Sequence, residues 1–251
     1  MSENKQIAGG GPESRDQILD ELFKNTSEET LTITDLPSKG KFYEGFQGVE
    51  VSPLTYLDEQ NILGSRDPNG DLVSKLLAKS VKGVVIDDLL SMDKMFLLMK
   101  VREVSYGETY DFNITCPSCK TDVKTSLILS ENLNMNEVPD DLTDPREVEL
   151  PKLKTKASVR FPRSREEIFL KDSETVYKNL YRFVISINDN SDPVFISKAL
   201  KRMHLQDIKK LISEVTKGEY GIDPRFIFQC PSCGHEETMA VPMDVGFFSV
   251  S

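Results

Sequence analysis

The tetrapeptide Cys-Pro-Ser-Cys occurs twice in this chain, at residues 116–119 and 230–233, and it accounts for all four cysteines. A spacing of two residues lets both thiolates of a pair face one metal ion, and zinc favours four such ligands in a closed tetrahedron. The repeat therefore predicts one structural Zn²⁺ site whose ligands are Cys116, Cys119, Cys230 and Cys233. A metal held in this way stabilises the fold and performs no chemistry.

The residues around the two pairs also match. Apolar residues lie four and two positions before the first cysteine of each pair, in Phe112-Asn-Ile114 and in Phe226-Ile-Phe228. An extended segment follows each pair, at residues 123–129 and 238–243. Each unit is therefore predicted to be a β-hairpin with a zinc knuckle at its tip. Because 110 residues separate the pairs, far more than in a compact zinc ribbon, a helical subdomain is expected between them.

Other uses of four cysteines remain open at this point. Disulfides are disfavoured because the N-terminus lacks the apolar segment of a secretion signal. A redox role for one Cys-x-x-Cys pair fits poorly with two matched copies. An iron–sulfur cluster also takes four thiolates and stays an alternative. His235 follows Cys233 by two residues and is a further candidate ligand, although four thiolates already complete a zinc site.

Charge and composition limit the classes of partner. The chain has 251 residues, a net charge of −10 and no apolar run of about 20 residues, so we expect no membrane span. An acidic chain is poorly suited to neutralising phosphates, so we expect no nucleic-acid partner. One basic run favours the alternative of a zinc-ribbon nucleic-acid-binding or transcription-associated protein, and it consists of Lys152, Lys154, Lys156, Arg160, Arg163 and Arg165.

No catalytic residues are predicted. The sequence has no Gly-rich phosphate loop, no His-Glu-x-x-His pattern and no nucleophile elbow. A catalytic zinc needs an open coordination position, which four cysteines do not leave. We therefore expect a protein without enzymatic activity, small-molecule substrate or bound organic cofactor.

The hydrophobic pattern predicts an α+β fold with helical segments before and between the two knuckles. Helices are indicated at residues 72–81, 91–106, 176–187, 193–200 and 205–215, and strands at 110–114, 157–161 and 225–229. The predicted divisions are a flexible acidic tail with a short helix (1–30), an α+β part with the first knuckle (31–130), an acidic linker (131–150), and a strand, helical insertion and second knuckle (151–251).

The order of motifs resembles a known family. Leu36-Pro-Ser-Lys-Gly-Lys-Phe-Tyr43 precedes Val49-Glu-Val-Ser-Pro53, and Ser105-Tyr-Gly107 precedes the first Cys-Pro-Ser-Cys. A strand at 157–161 and a closing Cys-Pro-Ser-Cys-Gly-His complete the series. Over about residues 31–245 the chain resembles the baseplate hub subunits and hub assembly proteins of T4-like contractile-tailed bacteriophages.

The resemblance implies a non-enzymatic role in building the central hub of the tail baseplate, as a hub component or as an assembly chaperone. The implied partners are other baseplate hub proteins. The implied locations are the host bacterial cytoplasm during assembly and the baseplate of the virion tail. We expect partner contacts on three amphipathic helices within residues 174–216, and also on an N-terminal helix bearing Ile18, Leu19, Leu22 and Phe23.

Overall fold

The computed structural model describes residues 12–23, 30–64, 72–218, 220–243 and 245–248. Within them the α-helices are α1 Pro12–Phe23, α2 Tyr56–Gly64, α3 Leu72–Ser80, α4 Ser91–Tyr106, α5 Leu129–Asn132, α6 Ser173–Asn179, α7 Pro193–Leu200 and α8 Leu205–Val215. The strands are β1 Leu31–Ile33, β2 Val49–Val51, β3 Val81–Lys82, β4 Thr109–Thr115, β5 Asp122–Ile128, β6 Asn134–Asn136, β7 Arg146–Leu150, β8 Thr155–Val159, β9 Val184–Ile187, β10 Gly221–Asp223, β11 Arg225–Gln229 and β12 Glu236–Ala240. Four 3-10 segments are Ile86–Asp88, Ser164–Leu170, Leu180–Arg182 and Val245–Phe248.

The predicted mixture of helices and strands is confirmed. The strands form two antiparallel three-stranded sheets, in the orders β1-β2-β3 and β7-β8-β9, and three two-stranded ribbons, β4-β5, β11-β12 and β6-β10. Helix α7 begins as expected, with the Asp192 side chain accepting a hydrogen bond from the Val194 N–H and Pro193 in the first turn.

The single helix predicted at residues 176–187 is wrong in its second half. Helix α6 ends at Asn179, a 3-10 turn follows, and residues 184–187 form strand β9 against β8. The apolar spacing of Val176, Leu180 and Phe183 fits a helix. Val184, Ile185 and Ile187, however, are β-branched, a type of residue that favours strands, and their segment pairs with β8 on the side away from β7. The region 174–216 therefore keeps three helices, but the first, α6, has only seven residues.

Residues 131–150, expected to be an acidic linker, include strands β6 and β7. In β7 the alternation of Arg146-Glu-Val-Glu-Leu150 directs Val148 and Leu150 into the core and leaves both glutamates exposed. The sequence reasoning also missed α2. Thr55 caps this helix in a reciprocal pair with Asp58, whose side chain accepts hydrogen bonds from the backbone N–H (2.8 Å) and the hydroxyl of Thr55.

The buried apolar residues form two clusters. The first, which we call the first lobe, draws its buried residues from 36–133 and 226–248; the second lobe draws them from 148–215. The C-terminal segment thus returns to pack with the N-terminal half. The second lobe buries most of the apolar residues of its own helices, including Ile196 on α7, and Ile208 and Leu211 on α8.

The two lobes are joined around the start of α4. The Ser164 N–H donates to the Leu89 carbonyl at 2.8 Å, and Nζ of Lys94 lies 2.6 Å from Oε2 of Glu167. The Phe42 and Phe161 rings are 6.3 Å apart across the same junction. The junction therefore combines backbone pairing, an ion pair and an aromatic contact.

The Leu36–Tyr43 segment folds as a series of turns against the start of α4. Its Lys39 N–H donates to the Leu36 carbonyl at 2.7 Å, and Gly40 and Gly45 have left-handed φ values of +66° and +68°. A Cβ atom at Gly40 would collide with the Phe46 ring, whereas one at Gly45 would have no neighbour within 4 Å. The two glycines thus offer a matched comparison of steric and backbone effects.

We expect Gly40→Ala to lower the free energy of unfolding by more than about 2 kcal/mol, because left-handed strain and the displacement of Phe46 add together. The control Gly45→Ala has only the backbone strain, roughly 1 kcal/mol. Urea denaturation of both variants measures the difference. Equal losses would show that the Phe46 ring moves aside without penalty.

Candidate metal centre

Each cysteine pair lies in the turn of an antiparallel two-stranded ribbon. Strands β4 and β5 pair from Thr109↔Ile128 to Thr115↔Asp122, and strands β11 and β12 pair from Arg225↔Ala240 to Gln229↔Glu236. The first cysteine of each pair therefore follows the last paired residue of its strand. Both ribbons have their buried apolar residues in the first lobe.

The two turns have the same backbone geometry. In each, the N–H of the first cysteine donates to the carbonyl five residues later, and its carbonyl accepts the N–H four residues later. The residue after the second cysteine has a left-handed φ, +61° at Lys120 and +73° at Gly234. The four hydrogen bonds are Cys116 to Thr121 (2.9 Å), Lys120 to Cys116 (2.9 Å), Cys230 to His235 (2.8 Å) and Gly234 to Cys230 (2.9 Å).

The structure brings all four predicted ligands together. The Sγ atoms of Cys116 and Cys233 are 3.8 Å apart, and those of Cys119 and Cys230 are 3.7 Å apart, so both short contacts cross from one ribbon to the other. All four ligand atoms lie within 4.8 Å of one another. A regular ZnS₄ tetrahedron with Zn–S bonds of about 2.3 Å has sulfurs roughly 3.8 Å apart. The cluster could therefore hold one metal ion.

Burial divides the four cysteines into two kinds. Cys116 and Cys230, the first of each pair, are buried, whereas Cys119 and Cys233 are exposed. All four are free thiols in the structure. The site is thus anchored on the core side and open to solvent on the other, as expected for a metal at the tip of two ribbons.

The electrostatics of the thiols favour a cation among them. Hydrogen bonding with the side chain and the backbone of Thr121 lowers the pKa of Cys119 to about 6. The His235 N–H lowers the pKa of Cys233, but the neighbouring thiols, first Cys119, and burial outweigh it and raise the pKa to about 11. One thiol ionises readily while its neighbour then resists ionisation. A cation at the centre would allow all four to be thiolates.

An aromatic layer beneath the cysteines connects the two ribbons. Phe112 and Phe226, which occupy equivalent positions before the two pairs, meet edge to face with centroids 5.8 Å apart. Tyr110 stacks on Phe112 at 4.8 Å and contacts Phe247 at 5.0 Å. The sequence predicted the matched phenylalanines and placed Tyr110 at the start of a strand, but it did not predict that Tyr110 contacts Phe247. Phe247 lies outside the repeat, so no local pattern links the two rings.

His235 is not among the clustered ligands. Its Nε2 lies 3.3 Å from Oε2 of Glu237, next to the turn. The fifth-ligand alternative therefore has no geometric support.

The basic run is largely engaged in internal ion pairs. Arg160 makes a two-pronged contact with Glu166, at 2.7 and 2.5 Å, and Arg163 contacts Asp144 at 2.7 Å. Arg165 pairs with Asp88, and Lys156 with Glu147. Four of the six cations thus already have carboxylate partners. This segment provides little free positive charge for a phosphate backbone.

These features define a class of protein: a mixed α/β chain in which a cluster of four cysteines, able to hold one metal ion, joins two ribbons distant in sequence. A family model described as T4 bacteriophage base plate protein matches residues 28–249, and the chain belongs to this family. Searches of curated proteins and of solved structures gave no match. Among the described helices, none is long and apolar enough to cross a membrane.

Proposed function

We propose that this protein acts without enzymatic activity in the assembly of the central hub of a phage tail baseplate, as a hub component or an assembly chaperone. The observation that carries this proposal is the family match over residues 28–249. The protein acts in the host bacterial cytoplasm while the tail is assembled. As a hub component it then lies in the baseplate of the virion. The partners are other hub proteins.

We further propose that the metal is Zn²⁺ with a purely structural role, held by Cys116, Cys119, Cys230 and Cys233 in two knuckles. Four sulfurs within 4.8 Å of one another are spaced for a single ion, whereas a multi-iron cluster spreads its cysteines over several irons. Two of the thiols are buried and are tied into closed turns. These features support a rigid site that fixes the geometry of the first lobe.

The contacts with hub proteins are proposed to lie on the second lobe, on residues that its own core leaves exposed. Most apolar residues of the helices in 174–216 are buried within that lobe, so few of them are available to contact a partner. Val194 and Phe195, at the start of α7, remain 58% and 40% exposed. Adjacent exposed apolar side chains on a rigid helix are typical of protein-binding surfaces.

The test is co-expression of the full chain with the hub proteins of the same phage, followed by capture. We expect Val194→Asp/Phe195→Asp to reduce capture at least about tenfold, since a central apolar anchor contributes 2 kcal/mol or more. The control Val85→Asp, at a 64% exposed site in the first lobe, should capture normally. Zinc content should be unchanged in all variants.

Two results would contradict the proposed surface. One is normal capture by the Val194→Asp/Phe195→Asp variant. The other is loss of capture on deletion of residues 1–30 while that variant still binds, which would move the interface to the N-terminal tail.

A further inference from the structure

A second exposed apolar site on the second lobe is a groove of about 410 Å³ formed by α6, the 3-10 turn after it, α7 and α8. Val194 and Phe195 do not line it. Its floor includes the buried Leu180 and Ile208, and its walls include Tyr177, Tyr181 and Leu205. Leu205 is 74% exposed, which is unusual for leucine beside other apolar side chains.

The groove lies in a basic part of an acidic chain. Residues 194–210 contain five cations and one acid, against a net charge of −10 for the whole protein, and one of these cations, Lys210, pairs with Glu214. That acid, Asp207, is buried and accepts hydrogen bonds from the backbone N–H groups of Lys152 and Leu153, at 2.8 and 3.1 Å. Lys201, on the groove wall, has no carboxylate partner among the described residues. A ligand for the groove should therefore be apolar and acidic.

Helix α1 of this chain has that chemistry. Its 12 residues carry four acids and one arginine. Ile18, Leu19 and Leu22 lie on one face, at i, i+1 and i+4, and are 63%, 51% and 65% exposed. An isolated helix of 12 residues is marginal in water, so this apolar face gains stability only by packing against another surface.

We propose that α1 of one copy binds in the α6–α8 groove of a second copy, so that two chains exchange their N-terminal helices. Acidic residues of α1 then face the cations of residues 194–210, while Ile18 and Leu22 cover Leu205 and the two tyrosines. The groove and the helix face are both exposed within a single chain, so each remains available to another copy. Exchange in both directions closes a two-fold dimer and uses each surface once.

The experiment is sedimentation velocity on the zinc-loaded full chain over a wide concentration range. We expect a monomer–dimer equilibrium in the unsubstituted protein. Leu22→Asp on the helix and Leu205→Asp in the groove should each raise the dimer Kd at least about tenfold, because each places a charge in an apolar contact. Both sites are highly exposed, so the fold should be retained, and Val85→Asp is the matched control.

A mixing experiment tests the pairing itself. Leu22→Asp has an intact groove and Leu205→Asp has an intact helix, so a one-to-one mixture should recover a heterodimer through one remaining contact. Neither variant alone should dimerise to the same extent.

Three results would overturn the exchange. The first is an unsubstituted protein that stays monomeric. If Leu22→Asp then lowers the melting temperature of this monomer, α1 packs on its own chain. The second is a dimer that survives both substitutions. The third is loss of hub-protein capture in Leu22→Asp while self-association is absent, which would assign α1 to a different protein. Because hub capture and self-association are separate readouts, failure of one is distinguishable from failure of the other.

Discussion

Cys119→Ser is expected to release the metal and to lower the free energy of unfolding by at least about 5 kcal/mol. Structural zinc contributes an apparent binding free energy of roughly 10–16 kcal/mol, and in such sites this energy is folding energy. Typical domains have only about 5–15 kcal/mol of stability in total. Loss of one ligand should therefore leave the first lobe largely unfolded.

The position of the proposed metal site in the chain explains why a large effect is expected. An isolated two-stranded ribbon is marginally stable, and here the cross-ribbon contacts near the tips are Cys116–Cys233 and Cys119–Cys230. A metal bound by the four cysteines would close a loop of more than 110 residues that contains the entire second lobe. Without a metal, apolar and aromatic contacts below the tips, including that of Phe112 with Phe226, are left to hold the two ribbons together, and apolar surface should become accessible to a dye such as ANS.

The measurement combines elemental analysis with denaturation. We expect one zinc per chain and no reactive thiols in the native unsubstituted protein. Ser118→Ala, in the same turn but without a ligand atom, should retain the metal and most of the stability. Removal of zinc from the unsubstituted protein by a chelator should reproduce the Cys119→Ser loss. Iron in place of zinc, a metal-free native protein, or an unchanged Cys119→Ser would contradict the proposed centre.

Sequence reasoning succeeded where one short segment contains the information. The Cys-x-x-Cys spacing identified four side chains that the fold brings within 4.8 Å of one another, and repeated apolar positions pointed to Phe112 and Phe226. Asp192-Pro193 marked the start of α7 because capping is local. These features depend on residues within a few positions of each other.

Sequence reasoning failed where the partner is distant. Whether Val184–Ile187 is helix or strand depends on β8, which lies 25 or more residues earlier, and the apolar spacing fits both structures. The apolar residues of the helices in 174–216 are buried because they pack against residues of strands β7 and β8. The Leu36–Tyr43 segment was recognised as a turn, but its role depends on Asp93, about 50 residues further along. No local pattern marks that aspartate.

Asp93 is a buried polar residue that holds the Leu36–Tyr43 segment against the start of α4, and we expect Asp93→Ala to lower the free energy of unfolding by about 3–5 kcal/mol. Asp93 is fully buried in the first turn of α4. Its Oδ1 accepts the Ser38 N–H at 2.9 Å and its Oδ2 accepts the Tyr43 hydroxyl. Alanine would leave the buried Ser38 N–H and the partly buried Tyr43 hydroxyl without this acceptor, at roughly 1–3 kcal/mol each, and would add a cavity.

Asp93→Asn separates hydrogen bonding from charge. The asparagine oxygen can accept the Ser38 N–H, and its amide can donate to the Tyr43 oxygen, which also accepts the Leu90 N–H at 2.9 Å. We expect a loss of about 1 kcal/mol or less, because the shape is kept and no charge is buried. An asparagine variant as unstable as the alanine variant would show that the carboxylate charge itself is required.

The pH dependence gives an independent check on the same residue. Burial raises the pKa of Asp93 above its usual value of 3.8, so the folded chain binds this proton more tightly than the unfolded chain does. The contribution of Asp93 to stability is therefore greatest below the unfolded pKa and falls as the pH rises through the folded pKa.

Asparagine does not titrate, so the unsubstituted protein should lose stability relative to Asp93→Asn as the pH rises from 3.8 through the folded pKa. Urea titrations of both proteins at several pH values measure this difference, and a difference that grows in favour of the unsubstituted protein would mean that hydrogen bonds from Ser38 and Tyr43 outweigh burial.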